Sequence, residues 1–151
     1  MQSSLASLLD NGALEDANHI TMVLSLCRGG SLCDTMGRAL EANRPLSEAK
    51  AHSAFVQLCG ALHYCHRTGV VHRDIASRNL LVDAGMRVFV TDFGLSGTKA
   101  QVAERDALAK PTLWMSPESL RDKTFNQRSD VWMFGVTLFE VFAQCHPPHG
   151  R

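Results

Sequence analysis

The chain has 151 residues, with 15 Lys and Arg against 15 Asp and Glu, 45% hydrophobic content and 20% charged content. That is enough chain for one domain with a core of its own. The even charge gives no footing for a nucleic-acid or membrane surface as partner. The cysteines at 27, 33, 59, 65 and 145 are odd in number and form no Cys-x-x-Cys pair. A disulfide framework or zinc site is therefore not expected, and a reducing, cytoplasmic setting is.

In chain order, Met1 to Asp10 lacks a basic start followed by a long apolar run, so it does not read as a signal peptide. Leu5 to Leu9 is a short apolar run ending in Asp10-Asn11-Gly12, and Ile20 to Leu26 reads as a strand, so the two suggest a hairpin. Arg28-Gly29-Gly30-Ser31 breaks that strand, and a short helix is predicted from Leu32 to about Ala42, stopped by Pro45. The clearest helix follows. Ser47 is a good N-cap, and Ala51, Ala54, Phe55, Leu58, Ala61, Leu62 and Cys65 keep the helical repeat on one face. Gly69 fits the position past its C-terminus.

Val70-Val71 then starts extended structure. Leu80 to Val82 and Arg87 to Val90 flank Asp83-Ala84-Gly85, a hairpin turn. Between Gly94 and Pro117 the chain is mostly polar and reads as one long loop, which in a compact domain is usually functional. Ser129 to Ala143 is apolar nearly all round and reads as a helix buried on every side. It is too short for a membrane span and carries Glu140.

The chemistry gathers around the second hairpin. Asp74 and Asn79 flank the start of its first strand, and Asp92 ends its second. A hairpin brings such ends together. Asn79 and Asp92 are then both oxygen donors, the ligand type that Mg²⁺ requires. Asp74 is left to accept a proton from an attacking hydroxyl, and Arg78 can meet phosphate oxygens. Phosphoryl transfer needs mainly positioning and charge neutralisation, and these residues supply both.

His72-Arg73-Asp74-Ile75-Ala76-Ser77-Arg78-Asn79 resembles the catalytic loop of the eukaryotic protein kinases, and Asp92-Phe93-Gly94 their magnesium-binding triplet. Ser116-Pro117-Glu118 stands where they carry Ala-Pro-Glu, and Ser129 to Gly135 looks like the start of the buried central helix of their large lobe. Four motifs in family order are a specific signal, where any triplet alone is weak. The resemblance implies an α+β, kinase-like fold, mainly the helical large lobe, with residues 1–27 as the last small-lobe strands and hinge and 28–151 as large lobe. It covers the middle of such a domain. No glycine-rich loop and no strand lysine is found in the chain, so little transfer is expected from it alone.

The resemblance also implies site roles. Asp74 and Arg78 are the catalytic pair, and Asn79 and Asp92 the metal ligands. Leu24 is the gatekeeper, and Ser25, Leu26 and Cys27 form the hinge that bonds adenine. Gly30 lets the backbone pass close to the nucleotide, Asp34 contacts ribose, and Leu81 is the floor under adenine. His72 packs under Phe93, Asp130 anchors the catalytic-loop backbone, and Glu118 is a buried carboxylate awaiting an arginine. ATP, Mg²⁺ and a protein substrate are the implied partners, without nucleic acid or a membrane segment. Ala76 and Arg78, two and four residues after Asp74, follow the tyrosine-kinase pattern. Some serine/threonine kinases of the tyrosine-kinase-like group share it, and a pseudokinase that scaffolds partners is the non-catalytic alternative.

Overall fold

The computed structural model describes residues 13–15, 20–22, 26–98 and 112–143. They form four helices and three antiparallel pairs of short strands. The first pair joins β1 (Ala13–Glu15) to β2 (Ile20–Met22), with Leu14 opposite Thr21. The expected hairpin therefore exists with a different first arm. Leu5 to Leu9 and the Asn11-Gly12 turn lie outside the described residues, and the strand that pairs starts after that turn.

Helix α1 (Leu32–Glu41) begins at a capping box. The Asp34 amide donates to Ser31 Oγ at 3.0 Å, and the Asp34 carboxylate accepts from the Ser31 amide at 3.0 Å, so two orphan donors are satisfied reciprocally. Helix α2 (Glu48–Arg67) buries Ala51, Ala54, Phe55, Leu58 and Leu62 on its predicted face, with Ala61 and Cys65 half-buried beside them. Ser47 sits at its cap position, where its carbonyl accepts from the Ala51 amide at 3.0 Å. Gly69 follows the helix at φ +80°, a left-handed turn that suits glycine.

Four further strand segments follow α2. β3 (Val70–Val71) pairs with β6 (Gly97–Thr98), while β4 (Leu80–Val82) pairs with β5 (Val88–Val90). Of these, β3 and β5 pack on α2. Gln57 of α2 clamps the second hairpin from below. Its Nε2 donates to Met86 O at 3.1 Å, and its Oε1 accepts from the Val88 amide at 3.0 Å. The expected long loop is thus interrupted by β6 and by a 3₁₀ turn at Thr112–Trp114, and it ends at helix α3 (Pro117–Asp122), capped by Ser116. Residues 99–111 lie outside the described set.

Helix α4 (Gln127–Ala143) corrects one expectation. It is not buried on every side. Val131, Trp132, Leu138, Phe139 and Phe142 are exposed, and Val131, Trp132 and Phe139 line an open groove of about 620 Å³ with Glu118 and Arg128. Meanwhile Ser129, Asp130, Thr137 and Glu140 are buried. Asp130, Thr137 and Glu140 face inward because they bond to residues 72–77, while Ser129 bonds to Ser119 and Asn126. That inversion removes any helical period from the apolar pattern. Glu118, expected as a buried carboxylate, is half-buried on the groove wall. The core runs between α2, α4 and the β4–β5 hairpin, through Leu58, Ile75, Leu80, Val82 and Met133.

Candidate active site

The β4–β5 register decides which groups meet. Leu80 stands opposite Val90, and the Thr91 amide donates to Asn79 O at 3.0 Å. Asn79 and Asp92 therefore emerge at one end of the hairpin. Asp74 reaches the same end through a buried loop that closes in a 3₁₀ turn at Ser77–Asn79.

Both carboxylate oxygens of Asp74 are engaged. Arg78 Nη2 donates to Oδ1 at 2.5 Å, and Asn79 Nδ2 donates to Oδ2 at 2.7 Å. The same Nδ2 also donates to the Asp74 carbonyl at 2.8 Å. With its nitrogen so committed, the Asn79 amide leaves Oδ1 without a hydrogen bond among the described residues. Asp92 is exposed and holds a left-handed conformation at φ +61°, with Oδ1 accepting weakly from the Gly94 amide at 3.4 Å. An amide oxygen and a solvated carboxylate at one hairpin end are hard donors. They fit Mg²⁺, which takes few protein ligands and keeps its waters or phosphates.

The loop is held from beneath. Asp130, fully buried on α4, accepts from the His72 amide at 2.9 Å, the Arg73 amide at 2.8 Å and the His66 ring at 2.8 Å. Arg73 takes φ +73° at this point, and its guanidinium lies 4.7 Å over the Phe125 ring. The His72 ring packs edge-on to Phe93 with centroids 4.7 Å apart. Its Nε2 donates to Thr91 O at 3.1 Å while Nδ1 accepts from the Asp74 amide at 3.3 Å, which assigns the neutral tautomer. Burial pushes the His72 pKa below its ordinary value, against the smaller upward pull of Asp130, Thr91 O, Asp74 and Asp92. A neutral, buried His72 is a brace.

At the start of α1, the structure brings Gly30, Asp34 and Leu81 together. The Val82 amide donates to Gly30 O at 2.9 Å, and Ser31 bridges to Leu81. Gly30 takes φ +71°, which suits glycine. Asp34 is exposed, and its bonds from Ser31 hold its carboxyl below the usual carboxylate range. Leu26 is exposed and Cys27 half-buried, with Cys27 O accepting from the Gly30 amide. Leu24 and Ser25 lie outside the described residues.

Sequence reasoning passed over several residues that hold this site. The Gly29 amide donates to Val82 O at 3.0 Å, and a Cβ at Gly29 would stand 2.5 Å from that same oxygen. Trp114 lies 4.7 Å under the Arg78 guanidinium, and its Nε1 donates to Glu140 at 3.3 Å. The one signal available for Glu140 was a carboxylate inside an otherwise apolar helix.

With this geometry in place, comparison with known proteins is decisive. The profile of protein tyrosine and serine/threonine kinases matches residues 5–151. The chain belongs to that family. Among relatives of this kinase chain, non-receptor tyrosine-protein kinase TNK1 of Mus musculus is 39% identical over 133 residues, covering 85% of the chain and 20% of the relative. A probable serine/threonine-protein kinase of Dictyostelium discoideum is 38% identical over 114 residues, covering 75% of the chain and 12% of the relative. Serine/threonine-protein kinase max-2 of Caenorhabditis elegans is 32% identical over 138 residues, covering 91% and 20%. The kinase chain thus spans a fifth or less of the length of these relatives.

Proposed function

We propose that this domain transfers the γ-phosphoryl group of Mg-ATP to a protein hydroxyl, with tyrosine the favoured acceptor. One observation carries the reading: the buried Asp74 carboxylate is gripped by Arg78 on one oxygen and Asn79 on the other. So held, Asp74 orients the acceptor hydroxyl and takes its proton. Arg78 balances charge near the transferred group. Asn79 and Asp92 would hold Mg²⁺, which when bound neutralises phosphate charge. The backbone of Ser25, Leu26 and Cys27 would bond adenine beneath the gatekeeper Leu24, with Gly30 close to the nucleotide and Leu81 as the apolar floor. Asp34 would meet ribose by exchanging one of its Ser31 bonds. Residues 1–27 are then small-lobe strand and hinge, and 28–151 large lobe.

Ala76 and Arg78 favour tyrosine, as does the likeness to a named tyrosine kinase, although named serine/threonine kinases are about equally similar. We place the domain in the cytoplasm, alone or within a longer, membrane-anchored protein. Among the described residues no helix is long and apolar enough to cross a membrane. Matched peptides bearing Tyr, Ser or Thr, incubated with labelled Mg-ATP and a longer protein in which a glycine-rich loop and strand lysine accompany this domain, test the acceptor. Tyr labelling that Asp74→Asn abolishes is expected. Labelling confined to Ser or Thr overturns the tyrosine assignment, and labelling that survives Asp74→Asn overturns Asp74 as the base.

The second reading is a module that binds nucleotide or scaffolds partners without catalysing transfer. Ligand binding to the folded state raises stability. A melting temperature raised by ATP only with Mg²⁺, and no longer so in Asp92→Asn, favours the nucleotide site. No shift favours the scaffold.

A further inference from the structure

Glu140 is a buried carboxylate that the scheme above does not use. Its Oε1 accepts from Ser77 Oγ at 2.6 Å, and its Oε2 accepts from the Ser77 amide at 3.4 Å and from Trp114 Nε1 at 3.3 Å. All three donors are neutral. A buried anion held without a cation is costly, and a well-packed apolar side chain in its place is often as stable. Stability alone does not account for it.

What Glu140 gains is a junction. Ser77 belongs to the catalytic loop and directly precedes Arg78. Trp114 belongs to the segment before α3 and forms the plane on which Arg78 lies, 4.7 Å from its guanidinium carbon. Arg78 in turn grips Asp74 Oδ1 at 2.5 Å. The Arg78 side chain is 36% exposed, so without a fixed platform its long stem would sample solvent. Glu140 holds both contacts of that platform, the residue before Arg78 and the ring under it.

We propose that Glu140 is a positioning residue, which by fixing Ser77 and Trp114 keeps Arg78 stacked and paired with Asp74. The proposal deepens the reading of Asp74 and Arg78 as the catalytic pair and rests on it.

Nitrogen-15 NMR of side-chain N–H groups tests it in this chain. Trp114 and Trp132 are the only tryptophans, so the indole region holds two signals, and the exposed Trp132 serves as internal reference. The Arg78 signal is the one lost in Arg78→Lys. In Glu140→Gln and Ser77→Ala, the Trp114 indole signal should move and the Arg78 Nη2–H, which Asp74 accepts, should exchange with water about tenfold faster, the effect of losing a charge-assisted bond. An Arg78 signal unchanged in folded Glu140→Gln overturns the proposal. Should that variant not fold, Ser77→Ala decides, since it removes the Glu140 bond at the residue before Arg78 and leaves the Trp114 ring in place. An unchanged Arg78 signal there overturns it. Where transfer is measured, Glu140→Gln should lower kcat about tenfold with KM for ATP within about twofold. A rise in KM alone speaks against positioning. No transfer by a longer protein that adds a glycine-rich loop and strand lysine to this domain would sink the functional reading and leave the Arg78 measurement to judge Glu140.

Discussion

Asp130→Ala should be the most destabilising single change in the catalytic-loop anchor. The carboxylate accepts from two buried backbone amides, His72 at 2.9 Å and Arg73 at 2.8 Å, and from the His66 ring at 2.8 Å. Alanine leaves both amides without an acceptor. Each buried unsatisfied donor costs about 1–3 kcal/mol, so the pair costs about 2–6 kcal/mol. The His66 side chain is 16% exposed and can turn toward water, so it adds little. Asp130 also stands in the first turn of α4, where a negative charge contributes about 0.3–1 kcal/mol. The central expectation is a loss of about 4 kcal/mol, a large part of the roughly 5–15 kcal/mol that such domains possess. At about 2–4 °C per kcal/mol, the melting temperature should fall by roughly 8–16 °C. Asp130→Asn keeps one acceptor oxygen and turns an amide nitrogen toward the remaining donors, so about half the loss is expected. Urea denaturation followed by circular dichroism gives the free energies, and hydrogen exchange at His72 and Arg73 localises the effect. An alanine variant within about 1 kcal/mol of wild type, with both amides still protected, would refute the anchoring argument.

Two more predictions concern the frame around the loop. Gly29→Ala places a Cβ 2.5 Å from Val82 O and should lower stability by about 1–3 kcal/mol, read as an earlier urea midpoint, because the contact is with backbone that cannot turn aside. For His72, burial depresses the folded pKa below the ordinary 6.5, so the unfolded chain takes up the proton first as pH falls. Its contribution is full above the unfolded value and lost as pH drops toward the folded one, at no more than about 1.4 kcal/mol per pH unit. Denaturation at neutral and mildly acidic pH should show a steeper loss in wild type than in His72→Gln, and equal slopes would contradict it.

The meeting of Asp74, Arg78 and Asn79 was legible because these residues lie close together in sequence. Asp74, Arg78 and Asn79 fall within one loop, and Asp92 follows a hairpin whose turn residues announce it. Helix α2 was legible because its apolar period survives intact. The β3–β6 pair was not, since two-residue strands carry no period to read. Nor was the solvent face of α4, because periodicity arguments assume that polar residues point outward.

That assumption fails in α4 for a physical reason that bears on the whole site. The catalytic loop is irregular, so its amides have no helix or sheet partners and must find acceptors elsewhere. Asp130 supplies them for His72 and Arg73, Glu140 for Ser77, and Thr137 Oγ1 donates to Ile75 O at 3.3 Å. These residues recur at seven- and three-residue steps along one face of α4, beneath successive residues of the loop. The residues proposed to do the chemistry are local in sequence, whereas the groups that hold their backbone lie 57 to 63 residues away. A helix whose inner face is polar at those steps is therefore the complement of an irregular loop. Its charged members should be tested as parts of the active site even though the proposed chemistry uses none of them.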